Sequence, residues 1–115
     1  MNQVLLIIDA QQELIEGNEA VGPVFNKENL IITINSVIER AIEANVPIIF
    51  VRDLDVSNGK GNGFEVHEGI HVPLGAKVFD KAATNAFYGT GLLHYLQTKD
   101  INHIVIMGCE TQHCI

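Results

Sequence analysis

Cysteine is scarce in this chain, and so are basic residues and long apolar runs. Two cysteines, Cys109 and Cys114, cannot build a disulfide framework, so reduced thiols are expected. Seven Lys and Arg stand against fourteen Asp and Glu, a net charge of −7. Such a surface repels phosphate backbones and anionic headgroups, which argues against nucleic acid and membrane surfaces as partners. Apolar runs such as Val4 to Ile8 fall far short of the roughly 20 residues that span a bilayer, and no basic n-region follows Met1. A soluble cytoplasmic protein is the expectation. The 115 residues, 47% of them hydrophobic, suffice for one domain, residues 1–115, with a real core.

What is present alternates between two periods. Val4 to Ile8 is continuously apolar and ends at Asp9, the pattern of a strand buried on both faces. A polar, Gly-containing connection follows. Leu30, Ile34, Val37, Ile38 and Ala41 then recur at helical spacing, with Asn26 or Asn29 as N-cap and Pro47 beyond the end. Val46 to Asp53 reads as a second strand, Ser57 to Gly63 as a loop and Ala76 to Lys81 as a short third strand. The glycines of that loop lack the spacing of a phosphate-binding run and no helix pattern follows them. Thr90 caps a helix through Thr98, and His103 to Met107 is a fourth strand. This order predicts an α/β fold: three layers, α/β/α, around a mainly parallel, Rossmann-like sheet.

In open parallel sheets, ligands bind beyond the carboxyl ends of the strands. The residues there are Asp9, Asp53, Lys81 and, past the fourth strand, Cys114. A thiol needs a base and a positive potential to become a nucleophilic thiolate. Asp9 can take the proton, while Lys81 holds Asp9 ionised and adds positive potential. Should Thr111 to Cys114 open a helix, its unpaired amides would stabilise a sulfur anion or a developing oxyanion. Each residue alone has a plainer reading: a buried small apolar side chain for Cys114, a turn former for Asp9, a solvated cation for Lys81.

Three ordered stretches carry a resemblance. IDAQ at Ile8 to Gln11, Lys81 followed by NAFYGTGLLHYL, and GCETQHCI at Gly108 to Ile115 are similar in order and spacing to motifs of the isochorismatase-like cysteine hydrolase superfamily. The resemblance implies Cys114 as nucleophile, Asp9 as general base and Lys81 as third catalytic member. It implies an oxyanion site at the backbone amides of Glu110 and Cys114, helped by a cis peptide between Cys109 and Glu110. Gln11, Asp53, Asn85 and Phe87 are the candidate substrate-pocket residues. Asn85 stands where relatives more often have serine, and Phe87 and Tyr88 suit core packing as well as a pocket wall.

Departures from the pattern narrow the chemistry. Metal-dependent nicotinamidases of the superfamily carry D-x-H, where this chain reads Asp53-Leu54-Asp55. His67 and His71 have a zinc-like spacing for a helix, but Gly69 and Pro73 place them in a loop. No metal and no cofactor are expected. True isochorismatases cleave a vinyl ether without a cysteine nucleophile, so Cys114 favours an amide or ureido C–N bond in a small molecule. Two other readings stand beside this one: a catalytically idle assembly or ligand-binding module, and a redox protein using Cys109 and Cys114. Cys109 suits strand-end packing better than a resolving thiol, and His94, His103 and His113 read as structural or surface residues.

Relatives run on for further strands and helices, so the resemblance implies that these residues are an N-terminal portion, truncated after the fourth strand. The fourth strand is then expected to lack a partner on one side or to be covered by another polypeptide, with Cys114 at the open boundary. A homo-oligomer is the expected assembly.

Overall fold

The computed structural model describes residues 2–82 and 91–109. The strands are β1 at Gln3–Ile8, β2 at Ile48–Asp53, β3 at Lys77–Lys81 and β4 at His103–Gly108. They form one four-stranded sheet in the order β3-β2-β1-β4, parallel at every pairing. Among the described residues the helices are α1 at Gln12–Glu16, α2 at Lys27–Glu43 and α3 at Leu92–Thr98, with a 3-10 turn at Val56–Gly59.

The apolar run of β1 is explained by its central place. Leu5 and Ile7 pack with Ile34, Ile38 and Ala41 of α2 on one face, whereas Val4, Leu6 and Ile8 pack with Leu92 and Leu96 of α3 on the other. Alternate residues of one strand therefore serve two cores, which gives the three expected layers. Each wholly buried Leu or Ile is worth about 1.5–3 kcal/mol relative to exposure.

Several boundaries differ from the expectation, each for a local reason. Val46 precedes β2 because its amide donates to Ala41 O at 2.8 Å, closing the end of α2. Asn26 occupies the N-cap position of α2, but in a left-handed conformation and with no side-chain cap bond. The N-cap of α3 is Gly91; Thr90 lies outside the described residues. The connection after β1 holds the five-residue α1. Its first amides donate to distant carbonyls, Gln12 N to Glu65 O at 2.7 Å and Glu13 N to Gly63 O at 3.0 Å. A tertiary contact rather than local periodicity makes that turn helical.

β4 runs one residue further than expected, to Gly108, which pairs in register with Ile8. A Cβ at Gly108 would be driven into the Ile8 carbonyl, so only glycine lets β4 close on β1 there. Among the described residues β4 pairs with β1 alone. Ile104 and Val105 on this one-sided strand are 38% and 41% exposed. No helix among the described residues is long and apolar enough to cross a membrane.

Candidate active site

Three charged side chains meet beyond the carboxyl ends of β1, β2 and β3. Asp9 follows β1 directly and adopts a left-handed backbone, φ 59°, which short polar residues tolerate better than most. Its amide still donates to Val51 O at 2.9 Å, so the turn starts only after the β1–β2 ladder is complete. Lys81 ends β3 and is opposite Asp53, the last residue of β2, in the register.

The Lys81 ammonium lies 3.5 Å from Asp9 Oδ1 and 3.8 Å from Asp53 Oδ2. The Lys81 and Asp9 side chains are 1% and 3% exposed and that of Asp53 is 28% exposed. A buried ammonium is tolerated only where opposite charge meets it, and here two carboxylates do. Of Asp9, Asp53, Lys81 and Cys114, expected to converge at one sheet edge, the first three come together, and Cys114 lies outside the described residues.

Gln11 has a different place from the pocket wall expected of it. Its side chain is wholly buried. Its Oε1 accepts from Asp53 N at 2.8 Å, and its Nε2 donates to Asp53 O at 3.2 Å and Phe64 O at 2.8 Å. Both ends of the amide are therefore spent on backbone, and Gln11 tethers β2 and the 61–66 loop to the turn after β1. Sequence spacing cannot reveal this, because the partners lie 42 and 53 positions away.

Asp53 is itself oriented. Its Oδ1 accepts from Asp55 N at 2.9 Å, which leaves Oδ2 facing Lys81. One residue earlier in the same register, Arg52 pairs with Asp80 through Nε at 2.7 Å and Nη2 at 3.0 Å, and its guanidinium lies 4.2 Å from the Phe64 ring centroid. The hydrogen-bonded Asp80 carboxylate holds the Arg52 guanidinium above its ordinary range. Successive opposite-charge pairs, Arg52–Asp80 and Asp53–Lys81, thus lock β2 to β3 just before the site.

His67 is buried in the loop predicted for it. Its Nδ1 accepts from Gly69 N at 2.9 Å, so in the neutral ring Nε2 is the donor to Glu16 Oε2, 2.7 Å away. Glu16 also meets Lys27 Nζ at 2.5 Å. The His67 hydrogen bond, followed by that from Lys27, holds the Glu16 carboxyl below its ordinary range, and Glu16 in turn raises Lys27. Sequence reading placed His67 correctly in a loop and did not find its partner.

Cys109 is half-buried against the α2-side core. Its Sγ lies 3.7 Å from Leu14 O, a position that suits packing. Glu110, Cys114, Asn85, Phe87, Tyr88, His113 and the Cys109–Glu110 peptide lie outside the described residues.

The isochorismatase domain model matches residues 3–115. A probable inactive nicotinamidase of Arabidopsis thaliana is 28% identical, over 99% of this chain and 69% of its own length. The crystal structure of N-carbamoylsarcosine amidase from Thermoplasma acidophilum superposes with a TM-score of 0.73 at 26% identity, over 94% of this chain and 68% of that one. The pyrazinamidase of Pyrococcus horikoshii in complex with zinc has the same fold, with a TM-score of 0.82 at 20% identity over 100% of this chain and 74% of that one.

The zinc of that neighbour prompts a test of the donors here. Among the described residues no three His, Cys, Asp or Glu side chains converge as a metal site would require. Asp53 faces an ammonium, both nitrogens of His67 are bonded within the protein, and His71 is an exposed residue 3.9 Å from Glu39. This donor set does not fit zinc, which needs at least three nitrogen, sulfur or oxygen ligands at roughly 2.0–2.3 Å.

Proposed function

The chain belongs to the isochorismatase family of hydrolases, and on that premise we propose that it is a cysteine hydrolase cleaving an amide or ureido C–N bond in a small molecule. The observation that supports this most is the buried Asp9–Lys81 pair, 3.5 Å apart beyond the carboxyl ends of the parallel strands. A carboxylate removed from water and held by a fixed ammonium is an oriented proton acceptor.

In this reading Asp9 takes the thiol proton of Cys114, and the sulfur attacks the substrate carbonyl. Backbone amides of Glu110 and Cys114 bind the resulting oxyanion. The C–N bond breaks as Asp9 returns its proton to the leaving nitrogen, which departs as amine or ammonia and leaves a thioester. Water then attacks the thioester, giving a proton to Asp9, and the Cys114 sulfur departs and recovers that proton. Lys81 stays an ammonium throughout, fixing Asp9 and lending positive potential to the thiolate. The enzyme is read as a homo-oligomer acting without a metal or organic cofactor.

Turnover of a panel of small amides and ureido compounds, together with the pH dependence of alkylation by iodoacetamide, tests this. Cys114 should alkylate well below the roughly 8.5 of a free thiol, with Cys109 lagging. Asp9→Asn should abolish turnover. Equal and ordinary alkylation of both thiols, with no turnover, would overturn the reading. It would favour a second one, an idle ligand-binding or assembly module, which the Arabidopsis relative's description as probably inactive also supports.

A further inference from the structure

We propose that Asp53 is a positioning residue for the Lys81 ammonium, holding it from the side opposite Asp9, and that Gln11 sets Asp53 in place. This rests on Lys81 acting in the reaction proposed above.

Lys81 carries its charge on a four-carbon stem, whose rotamer freedom must be restrained if the ammonium is to stay in one place. One carboxylate, Asp9 at 3.5 Å, fixes a direction; a second, Asp53 at 3.8 Å, fixes a position between the two. Asp53 is equipped for this because neither its backbone nor its carboxylate is loose. Gln11 holds its N–H at 2.8 Å and its C=O at 3.2 Å, and the Asp55 amide holds Oδ1 at 2.9 Å. Oδ2 is then the oxygen left for Lys81. The chain of contacts Gln11–Asp53–Lys81–Asp9, buried except at the half-buried Asp53, links three strand ends and returns to the strand end where it began.

The Asp-x-Asp sequence that begins at the last residue of β2 resembles a cation site, but the cation that Asp53 meets is the protein's own. Among the described residues no set of metal donors converges here, and in this proposal Asp53 serves Lys81 rather than a ligand of its own. Asp80, on the neighbouring position of β3 and bonded to Arg52, provides the comparison: a cross-strand carboxylate that binds a cation outside this chain of contacts.

The test compares Asp53→Asn, Asp53→Glu, Gln11→Asn and Asp80→Asn with the wild-type chain. Competitive acetylation by acetic anhydride, read by mass spectrometry, reports how firmly the Lys81 amine is held and needs no turnover. Asp53→Asn should raise Lys81 acetylation several-fold and lower kcat roughly 10–100-fold, the usual loss when an outer-shell partner is removed, with KM little changed. Asp53→Glu should recover part of both, Gln11→Asn should shift acetylation the same way, and Asp80→Asn should leave both as in wild type. Unchanged acetylation in Asp53→Asn and Gln11→Asn, or an Asp53→Asn defect confined to KM, would overturn the proposal. Raised acetylation in Asp53→Asn and Gln11→Asn, with a wild-type chain that hydrolyses nothing, would uphold the clamp while removing the catalytic reading.

Discussion

Asp9 follows β1 and Lys81 ends β3, strands that are not neighbours because β2 lies between them, yet their charged groups approach to 3.5 Å. Strands two apart in a sheet are separated by roughly 9–10 Å, a gap no short side chain closes. The lysine stem supplies most of the reach, and the left-handed turn at Asp9 starts the chain on a new course just beyond the ladder. A shorter cation at position 81 could not make this pair.

Breaking one side of the pair should cost more than removing both. Lys81→Met leaves Asp9 buried without its ammonium and is expected to destabilise the fold by about 3 kcal/mol in urea unfolding. Asp9→Asn combined with Lys81→Met should recover a substantial part of that loss. Strict additivity of the two single changes would mean that the charges are not coupled.

The sequence made the strand ends visible because β1 and β2 are apolar runs that stop at an acid, and because three motifs lie in the right order. It could not reveal α1, whose five residues are too few to display a helical period and whose first amides are satisfied by Gly63 and Glu65. Gln11 was a candidate pocket residue within the IDAQ stretch, and the partners its side chain has are backbone atoms brought in by folding. Asp53 was recognised as a strand-end residue, but its use followed from the β2–β3 register that sets it opposite Lys81. Register depends on which strands pair, and a single sequence states that only indirectly.

Gln11→Leu provides a test of the backbone tether. The change keeps a similar volume and leaves the Asp53 amide and the Phe64 carbonyl without the partner they have at 2.8 Å. An unfolding cost of about 2 kcal/mol is expected, with hydrogen exchange accelerated at Asp53 more than at Ile7 in the middle of β1. Uniform acceleration across the sheet would show that Gln11 stabilises the fold without holding this turn in particular.

Chelation should leave the proposed hydrolysis intact. Asp53 and His67 are committed to partners within the chain, and Asp55 stands where the histidine of D-x-H would be. Incubation with EDTA followed by assay, together with metal analysis of the purified protein, checks this. Loss of turnover restored by one divalent metal would contradict it.

The Glu16 cluster should make the α1 region sensitive to acid. His67 and Lys27 hold the Glu16 carboxyl below its ordinary 4.5, so the folded state binds that proton less tightly than the unfolded chain does. A depressed carboxyl contributes its stabilisation in full above the unfolded value and loses it as pH falls through the lower folded value. Glu16→Gln, which cannot ionise, removes this contribution at every pH. The Tm of the wild-type chain should therefore exceed that of Glu16→Gln at about pH 6–7, and the gap should narrow as pH falls below about 4.5. A Tm gap that stayed constant down to pH 3 would mean that the Glu16 charge contributes nothing and only its shape matters.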